Sequence, residues 1–164
     1  MTANIEWLSP EKARVLYDEL HVVAPRFLVD GGWSTATGFE WWSRQEPVFV
    51  VRWDFGLALV THWYQGLSAE VHGIVTDWRA ARVQLRRVFR ELLTDLDVQR
   101  LEFRLKWPAK TLKRYLEAAG AVHEGTARGA DWSYLSGKPV LIDVDIWSIL
   151  CHDLEVEHGC KPIL

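Results

Sequence analysis

Residues 69–106 read AEVHGIVTDWRAARVQLRRVFRELLTDLDVQRLEFRLK, and the hydrophobic period changes twice within them. Ala69 to Val75 is a short β-rich run. After Asp77 the apolar residues Ala81, Leu85, Val88, Phe89, Leu92 and Leu93 recur at helical spacing, while Arg79, Arg82, Arg86 and Arg90 line another face of the same helix. From Val98 the pattern alternates: Leu101, Phe103 and Leu105 are separated by Glu102 and Arg104, as in a strand with one covered face. Strand, helix and strand in so few residues predict a βαβ unit, with the two strands parallel and the crossover right-handed. The helix would then begin at the carboxyl end of the first strand, where backbone N–H groups can receive an anion.

The flanking sequence extends this unit. Ser9-Pro10-Glu11 predicts a helix start, with Ser as cap and Pro at the first helical position, and the helix should run to about Val23. A looser segment holding Gly31 and Gly32 leads to a short helix near residues 38–44. VFVVRWD and GLALVTHWY, on either side of Asp54-Phe55-Gly56, predict a hairpin. On the other side, Pro108 opens a helix that Gly120 ends, and AVHEGTAR and VLIDVDIWSIL close the chain as two strands. The expected architecture is one domain over residues 1–150, with a tail from 151 to 164. Its class is α/β (α+β): a mixed, twisted sheet of six or seven strands with helices on both faces.

Composition narrows the partners. The 164 residues carry a net charge of −3, but the charge is sorted along the chain. Between Arg79 and Arg114 lie eleven basic and four acidic residues, a local balance of +7, against −10 for the rest. A basic face of this kind suits an anionic ligand or an acidic protein surface. The overall pI near 6.1 and the lack of a recognised motif argue against nucleic acid. No apolar run approaches the roughly 20 residues that span a bilayer, and no basic-then-apolar leader is present, so a cytoplasmic protein without membrane contact is expected. Cys151, His152, His158 and Cys160 are zinc-type ligands at a spacing unlike paired Cys motifs, so no metal site is expected there. Nor is a disulfide, without a secretory signal. Of the ten tryptophans, Trp53, Trp63, Trp107 and Trp147 lie in or beside strand runs and should be core. Trp33, Trp41 and Trp42 are candidates for an aromatic substrate wall or a partner anchor.

The stretch LKRYLEAAGAVHEGTARGADWSYLSGKPVLIDVDIWSIL, residues 112–150, resembles the GNAT superfamily of acyl-CoA-dependent N-acyltransferases. It is similar to that family's helix ending in Leu-Gly-Phe, its Glu-Gly-x-x-Arg strand (here Glu124 to Arg128), its Gly-Lys hairpin and its last strand ending in Ser-Ile-Leu. The resemblance implies acyl transfer to an amine, with acetyl-CoA or another acyl-CoA as donor. It places the pyrophosphate loop at Arg79-Ala80-Ala81-Arg82-Val83-Gln84, where Arg82 and Gln84 stand at the family's two glycine positions. Arg79, Arg82 and Gln84 would border the pyrophosphate, the Gly73, Ile74 and Val75 backbone would polarise the thioester, and Glu70 or His72 would be the general base. Ala109 stands where the family often has Asn, and Leu116 where it often has a Tyr that protonates the thiolate. A second resemblance, to short GNAT-like proteins of tailed bacteriophages, rests on the altered loop and on Gly120-Ala121-Val122. It implies a virion-associated assembly module with a protein partner in place of an amine substrate.

Overall fold

The computed structural model describes residues 4–30, 33–106, 110–134 and 136–155; Gly31, Gly32, Trp107, Pro108, Ala109, His158 and Cys160 lie outside them. The chain order is β1 (Asn4–Trp7), α1 (Pro10–Val23), α2 (Pro25–Asp30), α3 (Ala36–Trp42), β2 (Phe49–Trp53), β3 (Gly56–Tyr64), β4 (Ser68–Val75), α4 (Trp78–Asp95), β5 (Arg100–Leu105), α5 (Lys110–Ala119), β6 (Val122–Ser133) and β7 (Val140–Leu150). A single 3-10 turn, Cys151–Leu154, follows. The sheet has seven strands in the order β1-β2-β3-β4-β5-β7-β6. Only β4 and β5 run parallel, as the βαβ reading requires.

Strand β1 and helix α2 were not anticipated. Four residues are too few to show a period, and β1 exists because it pairs with β2 from Asn4↔Arg52 to Trp7↔Phe49. Ser9 caps α1 by accepting the Lys12 amide, and Thr35 caps α3 through the Gly38 amide. Helix α5 ends at Gly120, whose φ of +103° favours glycine.

The two-residue period of the strands sorts two cores. Val50, Leu57, Leu59 and Ile74 face one side, beneath Ala13, Leu16, Leu20 and Phe39 of α1 and α3. Val51, Ala58, Val60, Ala69, Val71, Leu101 and Phe103 face the other, beneath Leu85, Val88, Phe89 and Leu92 of α4. On β4 the alternation therefore sends Glu70 and His72 to the α1–α3 side, in line with Ile74.

The expected tail starts as part of the second core. Cys151 and Leu154 are buried. The Cys151 amide donates to the Gln99 carbonyl at 3.0 Å, and Arg90 of α4 donates to the Leu154 carbonyl at 2.8 Å. Contrary to the sequence expectation, Cys151 is disulfide-bonded. Among the described residues no group of His, Cys, Asp and Glu is arranged to hold a metal, and no helix is long and apolar enough to cross a membrane. Truncating Leu154, which is fully buried, should remove methyl contacts and leave a cavity. Leu154→Ala is expected to lower stability by about 2–5 kcal/mol in urea unfolding; a loss below about 0.5 kcal/mol would show that the turn contributes nothing to the domain.

Candidate active site

The site begins where two strands part. Pairing between β4 and β5 runs through Ser68↔Arg100, Ala69↔Leu101 and Glu70↔Glu102 and then stops, although β4 continues to Val75 and β5 to Leu105. On its other edge β4 stays bonded to β3 as far as Gly56↔Val75. A Cβ on Gly56 would stand 2.2 Å from the Ile74 carbonyl oxygen, so only glycine allows β3 and β4 this close at the mouth. Between the splayed strands lies a cavity of about 380 Å³. It passes through the sheet. On the α4 side it is bounded by apolar side chains, among them Leu85, Val88, Phe89 and Leu116; on the α1–α3 side it meets Phe27, Trp33, Trp42 and a polar cluster.

Glu70 is the centre of that cluster. Its carboxylate lies at the last paired position of β4 and is buried, with 8% of the residue exposed. Oε1 is 3.3 Å from His72 Nε2, and Oε2 is 3.3 Å from His62 Nδ1 and 3.4 Å from Arg104 Nε. Burial pushes the carboxyl pKa up; Arg104 and His62 oppose that by favouring the charged form, and Glu102 and Glu46 add to it. Burial, then the positive charges of Lys106, His62 and Arg104, push the His72 imidazole down to about 4. At neutral pH His72 is therefore uncharged, and its Nε2 shares a hydrogen bond of 3.0 Å with the Thr61 hydroxyl.

Thr61 and His62 are neighbours in sequence, yet both side chains reach this cluster. A regular strand would send them to opposite faces. The register explains the exception: Thr61 pairs with Glu70 and Tyr64 with Ser68, so His62 and Trp63 together oppose one residue. His62 takes up the extra residue with a φ of +46°, a left-handed conformation that costs a non-glycine residue on the order of 1–2 kcal/mol. The Glu46 carboxylate accepts the His62 amide at 3.1 Å and holds the bulge. Trp63, sent to the other face, donates its indole N–H to the Leu96 carbonyl.

Glu70, His72, Gly73, Ile74 and Val75 all line the cavity. No heavy atom would approach a Cβ on Gly73 within 4 Å, so there is open space beside that backbone. Trp33 and Trp42 line it too, packed in tilted and edge-to-face contacts with Phe27 and Phe39 at centroid distances of 4.5–5.5 Å. Trp41 does not line it and is 64% exposed. Arg79 and Arg82 project from the first turns of α4, exposed and without a carboxylate partner among the described residues; Gln84 accepts a bond from Arg87 farther along. Leu116 lines the cavity, whereas the adjacent Tyr115 stacks on Trp78 at 5.2 Å, turned away as one step along a helix requires.

Asp77 caps the start of α4, a position that Asp favours. The Asp77 carboxylate accepts the Arg79 and Ala80 amides at 2.9 and 3.1 Å. The Phe55 carbonyl accepts those of Thr76 and Asp77, and the Asp77 carbonyl that of Ala81. Five of the backbone donors that could face a pyrophosphate are thus already bonded, two of them by a negative charge. The apolar slot and the unpaired β4 edge fit a pantetheine thioester; the capped amides of α4 do not fit the diphosphate of an acyl-CoA.

No protein-family model matches the sequence, and no curated protein matches it. Solved structures do. The spermidine N-acetyltransferase of Vibrio cholerae, in complex with CoA and spermine, superposes with a TM-score of 0.68 over 94% of this chain and 98% of its own, at 16% identity. The ribosomal-protein-S5-alanine acetyltransferase of Vibrio fischeri gives 0.65 over 98% and 97%, at 11% identity. The seven-stranded sheet and its helices are therefore the GNAT fold.

The depressed pKa of His72 has a measurable consequence. An imidazole with a folded pKa near 4 and an unfolded pKa near 6.5 binds a proton more readily when unfolded. Stability should therefore be complete above about pH 6.5 and fall as the pH drops toward 4. His72→Gln is expected to flatten the loss of thermal stability across that window; an unchanged slope would show that His72 is not held neutral.

Proposed function

We propose that the chain transfers an acyl group from a pantetheine thioester to an amine. The observation that carries this reading is the juxtaposition, at one point of the cleft, of an unpaired strand edge and a buried carboxylate. The thioester arm would enter from the α4 side, along the apolar slot. The amine would enter from the α1–α3 side, against Trp33 and Trp42, whose ring faces also suit a cationic head group. Both V. cholerae ligands, CoA and spermine, are of the classes this division calls for.

Glu70 stands between the two entrances as the general base. Its raised pKa makes the carboxylate a better proton acceptor than an exposed one, while Arg104 and His62 favour its charged form. It takes the proton of the incoming ammonium; the free amine attacks the thioester carbonyl, the C–N bond forms and the C–S bond breaks. Backbone N–H groups of Gly73–Val75 on the unpaired edge would polarise that carbonyl. His72, neutral and tied to Thr61, orients Glu70 and does not compete for the proton. Because the α4 amides are occupied, phosphates of acetyl-CoA or another acyl-CoA would be held by the Arg79 and Arg82 guanidinium groups from the side.

One observation favours a second reading. The Asp77 cap and the long side chains of Arg82 and Gln84 suit a module that has kept the fold and lost the donor, docking a protein through the basic face as a virion-associated assembly protein would. Titration calorimetry separates the two. Acyl transfer requires heat on adding acetyl-CoA at up to millimolar concentration, and binding at least tenfold weaker in Arg79→Ala/Arg82→Ala. It also requires Glu70→Gln to cut turnover by about 10²–10⁴-fold with donor binding unchanged. No heat with acetyl-CoA would defeat the first reading and leave the second.

A further inference from the structure

We propose that His62 is the proton outlet of Glu70, a positioning and relay residue that carries the proton from the buried carboxylate to solvent; this rests on Glu70 acting as the base. Three observations converge on it.

The first is the difference in exposure across one contact. The Glu70 side chain is 10% exposed and the His62 side chain 55%, yet Glu70 Oε2 and His62 Nδ1 are 3.3 Å apart. One ring nitrogen thus meets the buried carboxylate on a side chain that is otherwise more than half exposed. The second is backbone strain. The bulge turns His62 onto the face of Thr61 as it sends Trp63 to the opposite core, and His62 holds its left-handed backbone there at a real conformational cost. The third is the set of charges around the ring. Glu46 Oε1 lies 3.8 Å from His62 Nε2, the ring nitrogen that does not face Glu70.

The other charged groups facing the cluster are less suited to the role. Arg104 is held by Glu102 at 3.0 Å as well as by Glu70 and keeps its protons. Lys106 is paired with Asp131 at 2.8 Å. His72 is the other imidazole on Glu70, and its proton affinity is too low at neutral pH for it to pass a proton on.

The reaction balances through this path. An ammonium and a thioester give an amide, a thiol and one net proton. Of the two protons the nitrogen loses, one goes to the departing thiolate. The other passes from Glu70 Oε2 to His62 Nδ1, and His62 releases its Nε2 proton to water or to Glu46. The carboxylate is thereby emptied for the next turnover.

The test uses His62→Asn, because Asn tolerates the left-handed backbone and should keep the fold. With acetyl-CoA and a panel of primary amines including spermine, His62→Asn is expected to lower kcat about 10–100-fold with the donor KM unchanged, and tens of millimolar imidazole to restore at least fivefold of it. Carbon-13 titration of the Glu70 carboxyl supplies a readout independent of turnover. It should move upward in His62→Asn, because the neighbouring positive charge that favours the carboxylate is gone. An upward shift with imidazole rescue supports the relay. An unmoved Glu70 titration, or full activity in His62→Asn where Glu70→Gln is inactive, overturns it and leaves Glu70 as base. Full activity in Glu70→Gln removes the base and the relay together.

Discussion

The structure turns on the point where β4 and β5 stop bonding to each other. Three residue pairs hold them together, and beyond Glu70 and Glu102 each strand keeps only its outer neighbour. A sheet opened at its centre would ordinarily lose stability, because buried N–H and C=O groups are left without partners. Here the two halves are held by other means. The Gly56–Val75 end of β3 stays tight against β4, β7 pairs with β5 over its whole length, and α4 spans the gap with a continuous apolar stripe. The opening is thus a fixed part of the fold, and it gives one cavity access to both faces of the sheet.

The two faces differ in chemistry because the strand period makes them differ. On β4, Ala69 and Val71 face α4 and Glu70 and His72 face α3; on β5, Leu101, Phe103 and Leu105 face α4 and Glu102 and Arg104 face α3. An apolar slot and a charged cluster follow from one alternation. Nine of the eleven basic residues that stand out in the sequence can be assigned. Arg100, Arg104, Lys106, Arg87 and Lys113 meet carboxylates, and Arg86 and Arg90 hold the carbonyls of Asp153 and Leu154. Arg79 and Arg82 have no carboxylate partner among the described residues and stand at the start of α4, beside amides that Asp77 has already taken. The apparent basic stripe is mostly internal neutralisation.

Much of this was legible in the sequence. The run from Ala69 to Lys106 carries its periods openly, so the parallel pair, the crossover helix and the faces of Glu70 and His72 could be read directly. β7, Val140–Leu150, has the bounds expected for it. What escaped reading depended on tertiary contact. β1 is a strand only because β2 is beside it. Thr61, His62 and Glu46 join the site through a bulge with no glycine to announce it, since a His occupies the left-handed position. Arg104 and Lys106 look like the solvated side of a strand until the sheet opens against them. Trp41 and Trp42, adjacent in sequence, separate into an exposed ring and a cavity wall because a helix turns 100° per residue.

In the proposed reaction the opened edge of β4 would receive a thioester arm while the Arg79 and Ala80 amides stay closed by Asp77. Hydrogen exchange of backbone amides with and without acetyl-CoA tests it most directly. New protection is expected at Gly73–Val75, with the already bonded Arg79 and Ala80 amides unchanged. Protection confined to the first turn of α4, or no change in β4 at saturating ligand, would contradict it.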